Sequence, residues 1–230
     1  MVNQTADEAK ATNIAEMGQP LGELYSALWQ AIATIHVYWK EYVELFGSKP
    51  ERIDLLNRAA PAFFHILQEE LWELALLRIS RLTDAPKTGR AGRQNLTIQA
   101  LPALISDATL KAQVTQLVAD VVAETAFCRD WRNRRIAHND LLLALQQPTR
   151  PLADASRLQV KTALLSLTAV LNALCGHYSD SEIRFDIGGR IDGAVSLLYV
   201  LNDGVKVQEA RQKRLEEGKP TEDDFRFDDI

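Results

Sequence analysis

Residues 128–141, CRDWRNRRIAHNDL, gather the side chains of this 230-residue chain that are best suited to act on a polyanion. Arg129, Arg132, Arg134 and Arg135 supply planar forks of N–H donors that match phosphate geometry and stay charged at any physiological pH. His138 adds an imidazole, the side chain type that exchanges protons near neutrality. Asn133 and Asp140 are polar groups able to orient the imidazole or its neighbours. Trp131 has the flat face needed to stack a base, although interface packing is the role its setting favours.

Helical spacing makes one of these residues anomalous. At about 100° per residue, Val114, Val118, Val121, Thr125 and Cys128 form a stripe that continues through Arg132, Ile136, Asn139 and Leu143. Arg132 therefore falls where the pattern predicts a buried apolar residue. A guanidinium there must be ion-paired, hydrogen-bonded or open to a cleft, because an unpaired buried charge is very costly. His138 lies six residues on, about 9 Å along a straight helix and roughly 120° around it. Three devices bring the two together: a long arginine, a distorted helix, or a second copy of the chain placed across a two-fold axis.

The elements that must hold this segment are helical. Apolar spacing predicts a helix over 21–46 and a second over 50–82, with Val37 and Phe63 among the core positions and Pro61 bending or splitting the second. A loop at 83–95 exposes Lys87, Arg90 and Arg93, and a short helix follows near 96–105. One long helix is expected from Asp107 to about Gln146, another over 153–178 and a last over 190–217, interrupted around Asn202 to Gly204. With no alternating strand pattern, the expected class is all-α, an antiparallel up-and-down bundle of four long helices with additional C-terminal helices. The expected divisions are a flexible segment at 1–19, a bundle at 20–180, a helical extension at 181–217 and an acidic tail at 218–230.

Charge placement decides what the bundle can attract. From Glu216 to Ile230, seven acids oppose Lys219 and Arg226, and this local excess equals the whole formal charge of -5. The remainder is nearly neutral, so a local basic patch can still draw in a polyanion. The acidic tail suits either disorder or a strap. No secretory signal is expected at the N-terminus, nor any run of the eighteen or so apolar residues of a membrane span, so the chain is expected to be cytoplasmic with no membrane partner. Cys128 and Cys175 fall in helical apolar patterns and are expected as buried free thiols. No metal-ligand spacing or phosphate-cradling loop is found, so neither metal nor cofactor is expected; GGRIDG at 188–193 is taken as a helix start.

On α-helical spacing, Glu73, Arg78 and Arg81 are expected to make ion pairs within the fold, or Arg81 with Asp84 to brace the segment that carries Arg132. Arg129 has Asp130 of another chain as a possible partner. His36, His65 and His177 are isolated and expected as packing or surface residues, and Trp29, Trp39 and Trp72 as core.

RNRRIAH at 132–138 resembles the arginine, polar residue, spacer and histidine signature of the HEPN superfamily (higher eukaryotes and prokaryotes nucleotide-binding). RLTD at 81–84 and NLT at 95–97, followed by a long helix and RNRRIAHND, are most similar to its abortive-infection U branch, over roughly residues 20–180. The resemblance implies a homodimer joined across the motif helix, with a metal-independent ribonuclease site in the cleft and RNA as substrate. It implies His138 as general base or acid, Arg132 as the group facing transition-state charge, and Asn133 as a holder of phosphate or imidazole. Arg129, Arg134 and Arg135 match no catalytic position and are expected to contact backbone phosphates. It also implies a toxin-like or defence role with a cognate antitoxin or nucleotidyltransferase-type partner. The alternative is a non-catalytic RNA- or nucleotide-binding member of the same fold; a third reading makes the arginines an interface network.

Overall fold

The computed structural model describes residues 5–89, 92–138, 140–185 and 192–225. Its helices are α1 (Ala6–Met17), α2 (Gln19–Phe46), α3 (Pro50–Ala59), α4 (Pro61–Leu82), α5 (Ala108–Glu124), α6 (Ala126–Trp131), α7 (Leu141–Ala144), α8 (Arg157–Ser179) and α9 (Ala194–Glu216). Among the described residues the strands are two short ones, β1 (Lys87–Thr88) and β2 (Arg93–Gln94), paired antiparallel. The class is all-α.

The chain divides into two compact units, one of residues 1–39 and 72–187, the other of 40–71 and 188–230. Both α2 and α4 contribute to each, so the division falls inside the stretch expected as one bundle. In the first unit, Leu28 and Ile32 of α2, Leu76 and Ile79 of α4, Val114 of α5 and Leu171 of α8 are fully buried. Asp107 caps α5, its carboxylate accepting from Leu110 N at 2.7 Å, and Ser156 caps α8 by accepting from Gln159 N at 3.2 Å. α8 is long and apolar enough to cross a membrane by length and composition, contrary to the sequence expectation. Its stripe of Val160, Leu164, Leu167, Leu171 and Leu174 is buried against the rest of this unit, which makes it the core helix.

Residues 6–17, expected as part of a flexible lead-in, form a capped helix: Thr5 and Glu8 complete a reciprocal capping box. α1 lies so close to α2 that a Cβ on Gly22 would stand 2.5 Å from Asn13 O and 2.6 Å from Ile14 Cα. Backbone is on the other side, so nothing can yield cheaply. Gly22→Ala is expected to lower stability by about 1–3 kcal/mol, read as a shift in the urea midpoint; an unchanged midpoint would show that α1 is not docked.

Pro61 splits the expected second helix into α3 and α4, and the break changes the phase of the apolar stripe. Phe64 is buried in the second unit while Phe63 is 59% exposed. Val37, also expected inward, is 42% exposed. α9 runs unbroken through Asn202–Gly204, since helix propensity lost at one glycine is only about 1 kcal/mol. Glu41 caps α9 from the same unit, accepting from Ala194 N at 2.5 Å, and Gly193 leaves room for that carboxylate. Residues 186–191, with most of GGRIDG, lie outside the described residues, as do Arg90, Asn139 and 226–230.

Part of the acidic tail folds back on α9. Asp224 accepts from Thr221 N at 2.8 Å and from Arg214 Nε at 3.0 Å, and its side chain is buried. The Arg214 hydrogen bonds, then the Thr221 amide, hold its carboxyl well below the usual carboxylate range. A depressed folded pKa means that stability is present above the unfolded value near 3.9 and is lost as pH falls through the folded value. Asp224→Asn is expected to be less stable than wild type at pH 7, with the gap narrowing below about pH 4. Parallel denaturation curves at both pH values check this.

Candidate functional site

The RLTD and NLT segments are joined by a knot of hydrogen bonds at the end of α4. Thr97 Oγ1 lies 3.0 Å from Leu82 O and 2.7 Å from Asp84 O, and Gln99 Nε2 donates to Thr83 O at 2.8 Å. Asn95 Nδ2 donates to Ala85 O at 2.7 Å. The first of these satisfies a carbonyl that the end of α4 leaves free, and the others hold the loop carbonyls on either side of and at Asp84. Thr83 and Thr97 are legible only as letters of the RLTD and NLT segments, and Gln99 not at all, because bonds to backbone carbonyls and to residues distant in sequence leave no spacing signature.

The knot is tied to the motif segment. Thr125 Oγ1 lies 3.2 Å from Thr83 Oγ1, and Arg129 Nη1 donates to Thr83 Oγ1 at 3.1 Å and to Thr125 Oγ1 at 3.3 Å. Arg129 Nη2 donates to Val122 O. The donors of Arg129 thus point into the protein. Beside it Cys128 is fully buried, and burial pushes its thiol up to about 12.

The expected single helix over 107–146 is broken here. It pauses at Thr125, resumes as α6, widens into a π turn over Arg132–Ile136 and restarts as α7. Ala137 N donates to Arg132 O at 2.8 Å and Asp140 N to Arg134 O at 2.9 Å, five- and six-residue reaches in place of four. Such turns shift the phase of a helix and recur at functional sites. Helix distortion, one of the three devices that could bring Arg132 toward His138, is thus found in this segment.

Arg132 is ion-paired with Asp84 and its Nε donates to Asn133 Oδ1 at 3.0 Å. Its side chain keeps 22% exposure, and Nη2 has no partner among the described residues. Asp84, rather than Arg81, is the brace of the motif segment. His138 follows the π turn, exposed, with no hydrogen bond or ion pair to a described residue. Arg134 is locked: it pairs with Asp130 at 3.7 Å and Asp140 at 3.3 Å and donates to Arg150 O at 2.6 Å and Pro151 O at 3.1 Å. Asp130 is therefore engaged within the chain, also pairing with Arg150. Asp140 caps α7 at Leu142 N, 3.0 Å away, and the Arg134 hydrogen bond is the first cause that holds its carboxyl below the usual range.

Arg135 is exposed; it pairs with Glu73 at 2.6 Å, and its guanidinium stands 5.5 Å from the centre of the Trp131 ring. Trp131 donates from Nε1 to Ala153 O at 2.8 Å and meets Trp72 edge-on at 6.5 Å, so packing occupies much of it. Glu73 serves Arg135 and not Arg78, which departs from the expectation for α4. His36 packs, with Nε2 3.1 Å from Thr168 Oγ1 and its ring 4.8 Å from that of Phe185. Among the described residues no three His, Cys, Asp or Glu side chains gather as metal ligands.

An all-α chain with an arginine at the start of a widened turn and a histidine six residues on, just past it, fits the HEPN class of helical domain. The AbiU2 family model of that class matches residues 18–192, and the chain belongs to the AbiU2 family, a HEPN-type abortive-infection group. No curated protein and no solved structure matches it.

Proposed function

We propose that the chain is a metal-independent endoribonuclease acting in defence or as a toxin, with a composite site at a homodimer interface. The observation that carries this reading is the π turn, which presents an anchored guanidinium and, just beyond it, an exposed imidazole, with Nη2 of the first and the ring of the second unpartnered among the described residues. In the reaction, the substrate's 2′-hydroxyl attacks the adjacent phosphorus. Its proton passes to one His138 imidazole, the bond to the 5′-oxygen breaks, and that oxygen takes a proton from an imidazolium. The ends are a 2′,3′-cyclic phosphate and a 5′-hydroxyl. Arg132 Nη2 faces the charge that grows on the phosphoryl oxygens, and Asn133 keeps the guanidinium in register.

A single His138 imidazole does not take one proton and give another in the same event, so two copies of the chain per site suit the chemistry. α7 and its C-cap residue, directly after the motif, leave Leu141 67%, Leu142 43% and Leu145 55% exposed, apolar surface that a second copy would cover. Membership of a class whose domains commonly act as dimers supports the same arrangement. Cytoplasmic action and a cognate antitoxin or nucleotidyltransferase-type partner complete the reading. The alternative, an RNA- or nucleotide-binding module without catalysis, is favoured by one observation: Asp84 neutralises Arg132. The test is RNA incubated with protein in chelator, its ends assayed for cyclic phosphate; product formed by wild type and by His138→Ala alike would sink the ribonuclease reading.

A further inference from the structure

We propose that the pocket between α2, the end of α4 and the return of the β1–β2 hairpin holds a backbone phosphodiester of the RNA strand, gripped by Arg78 and Arg81. The inference rests on the ribonuclease reading above and extends it to how the substrate is held. The pocket encloses about 560 Å³ and is lined by Gln30, Arg78, Arg81, Asp84, Gln94 and Leu96 among others. That volume suits a nucleotide unit, and the lining mixes apolar walls with convergent polar groups as such sites do.

Charge is the argument. Arg78 and Arg81 are three residues apart on α4 and so share a face, where like charges repel unless something lies between them. The described structure gives neither a carboxylate. Arg78 is half-buried with its guanidinium 4.5 Å from the centre of the Tyr38 ring, and its buried Nε has no hydrogen-bond partner. Arg81 is exposed and makes no side-chain bond to a described residue. The one carboxylate in the lining, Asp84, is paired with Arg132. Two cations with no carboxylate partner among the described residues thus line one cavity, a cost the fold keeps although Glu73 is near in sequence and is spent on Arg135.

Asp84 links the two places. It lines the pocket and also anchors Arg132, so a strand with one phosphate on Arg78 and Arg81 passes the carboxylate that sets the catalytic guanidinium. Arginines here act through charge and bidentate donors rather than by reading bases. Arg81 and Arg78 therefore raise affinity for single-stranded RNA without conferring sequence preference.

The test measures binding of a short fluorescein-labelled single-stranded RNA by anisotropy, across a salt series, in His138→Ala protein that leaves the probe intact. Arg81→Gln and Arg78→Gln are each introduced in that background, with circular dichroism as the check on folding; the exposed Arg81 gives a variant free of core disturbance. The expected result is several-fold weaker binding and a salt slope reduced by about 0.7 for a lost phosphate contact. Cleavage by wild type with unchanged affinity and slope in both variants overturns the pocket and leaves the ribonuclease reading standing. Weakened binding in both variants with no cleavage by wild type supports the pocket and overturns the ribonuclease reading. Absence of RNA binding by the parent protein overturns both.

Discussion

His138→Ala is expected to cut the rate of metal-independent RNA cleavage by about a thousandfold, the scale at which a positioned acid or base contributes. The loss should appear in kcat with little change in KM, because an exposed ring with no bond to a described residue is free to act in proton transfer and adds little uniform binding. The same absence of bonds means that the fold has nothing to lose: the denaturation midpoint and the oligomeric state are expected to match wild type. This separation is what distinguishes a reacting group from a structural one. Mixing experiments sharpen it. If each site draws an imidazole from both chains, dimers of one wild-type and one His138→Ala subunit are expected to be nearly inactive, and retention of half the activity would refute a composite site.

Arg129→Ala is expected to do the opposite, lowering stability by about 2–4 kcal/mol while leaving the salt dependence of RNA binding as it was. The sequence offers Arg129 as one of four arginines suited to phosphate. Its donors, however, go to Thr83 Oγ1, Thr125 Oγ1 and the Val122 carbonyl. Removing them frees the knot that fixes Asp84, and through Asp84 the guanidinium of Arg132 loses its seat. Activity should fall along with stability, and Arg129→Lys should rescue little, since a single ammonium cannot span three acceptors in a fixed fork. Chemical denaturation and the salt slope together check the assignment; a reduced slope with normal stability would return Arg129 to the RNA surface.

The division between legible and hidden parts follows the reach of the interactions. Helix identity was legible because apolar spacing and caps are local: Asp107 and Pro61 each mark a boundary that the structure keeps, while the helix expected from 153 starts at Arg157, behind its Ser156 cap. The break in the motif helix was not, because no glycine or proline announces it. The π turn is stabilised by what Arg132 and Arg134 reach, Asp84 in one case and Asp140, Arg150 and Pro151 in the other.

Arg129, Arg132, Arg134 and Arg135 look equivalent as letters, since a sequence records charge but not counter-ions. By itself the sequence determined that the chain is helical, that a cation stands at residue 132 where the apolar spacing calls for an apolar side chain, and that a histidine follows six residues later; periodicity and residue chemistry suffice for each. Only the tertiary structure decided which arginines are consumed inside the fold and which keep donors to spare. Whether a guanidinium can meet a ligand depends on carboxylates and carbonyls that arrive from distant parts of the chain.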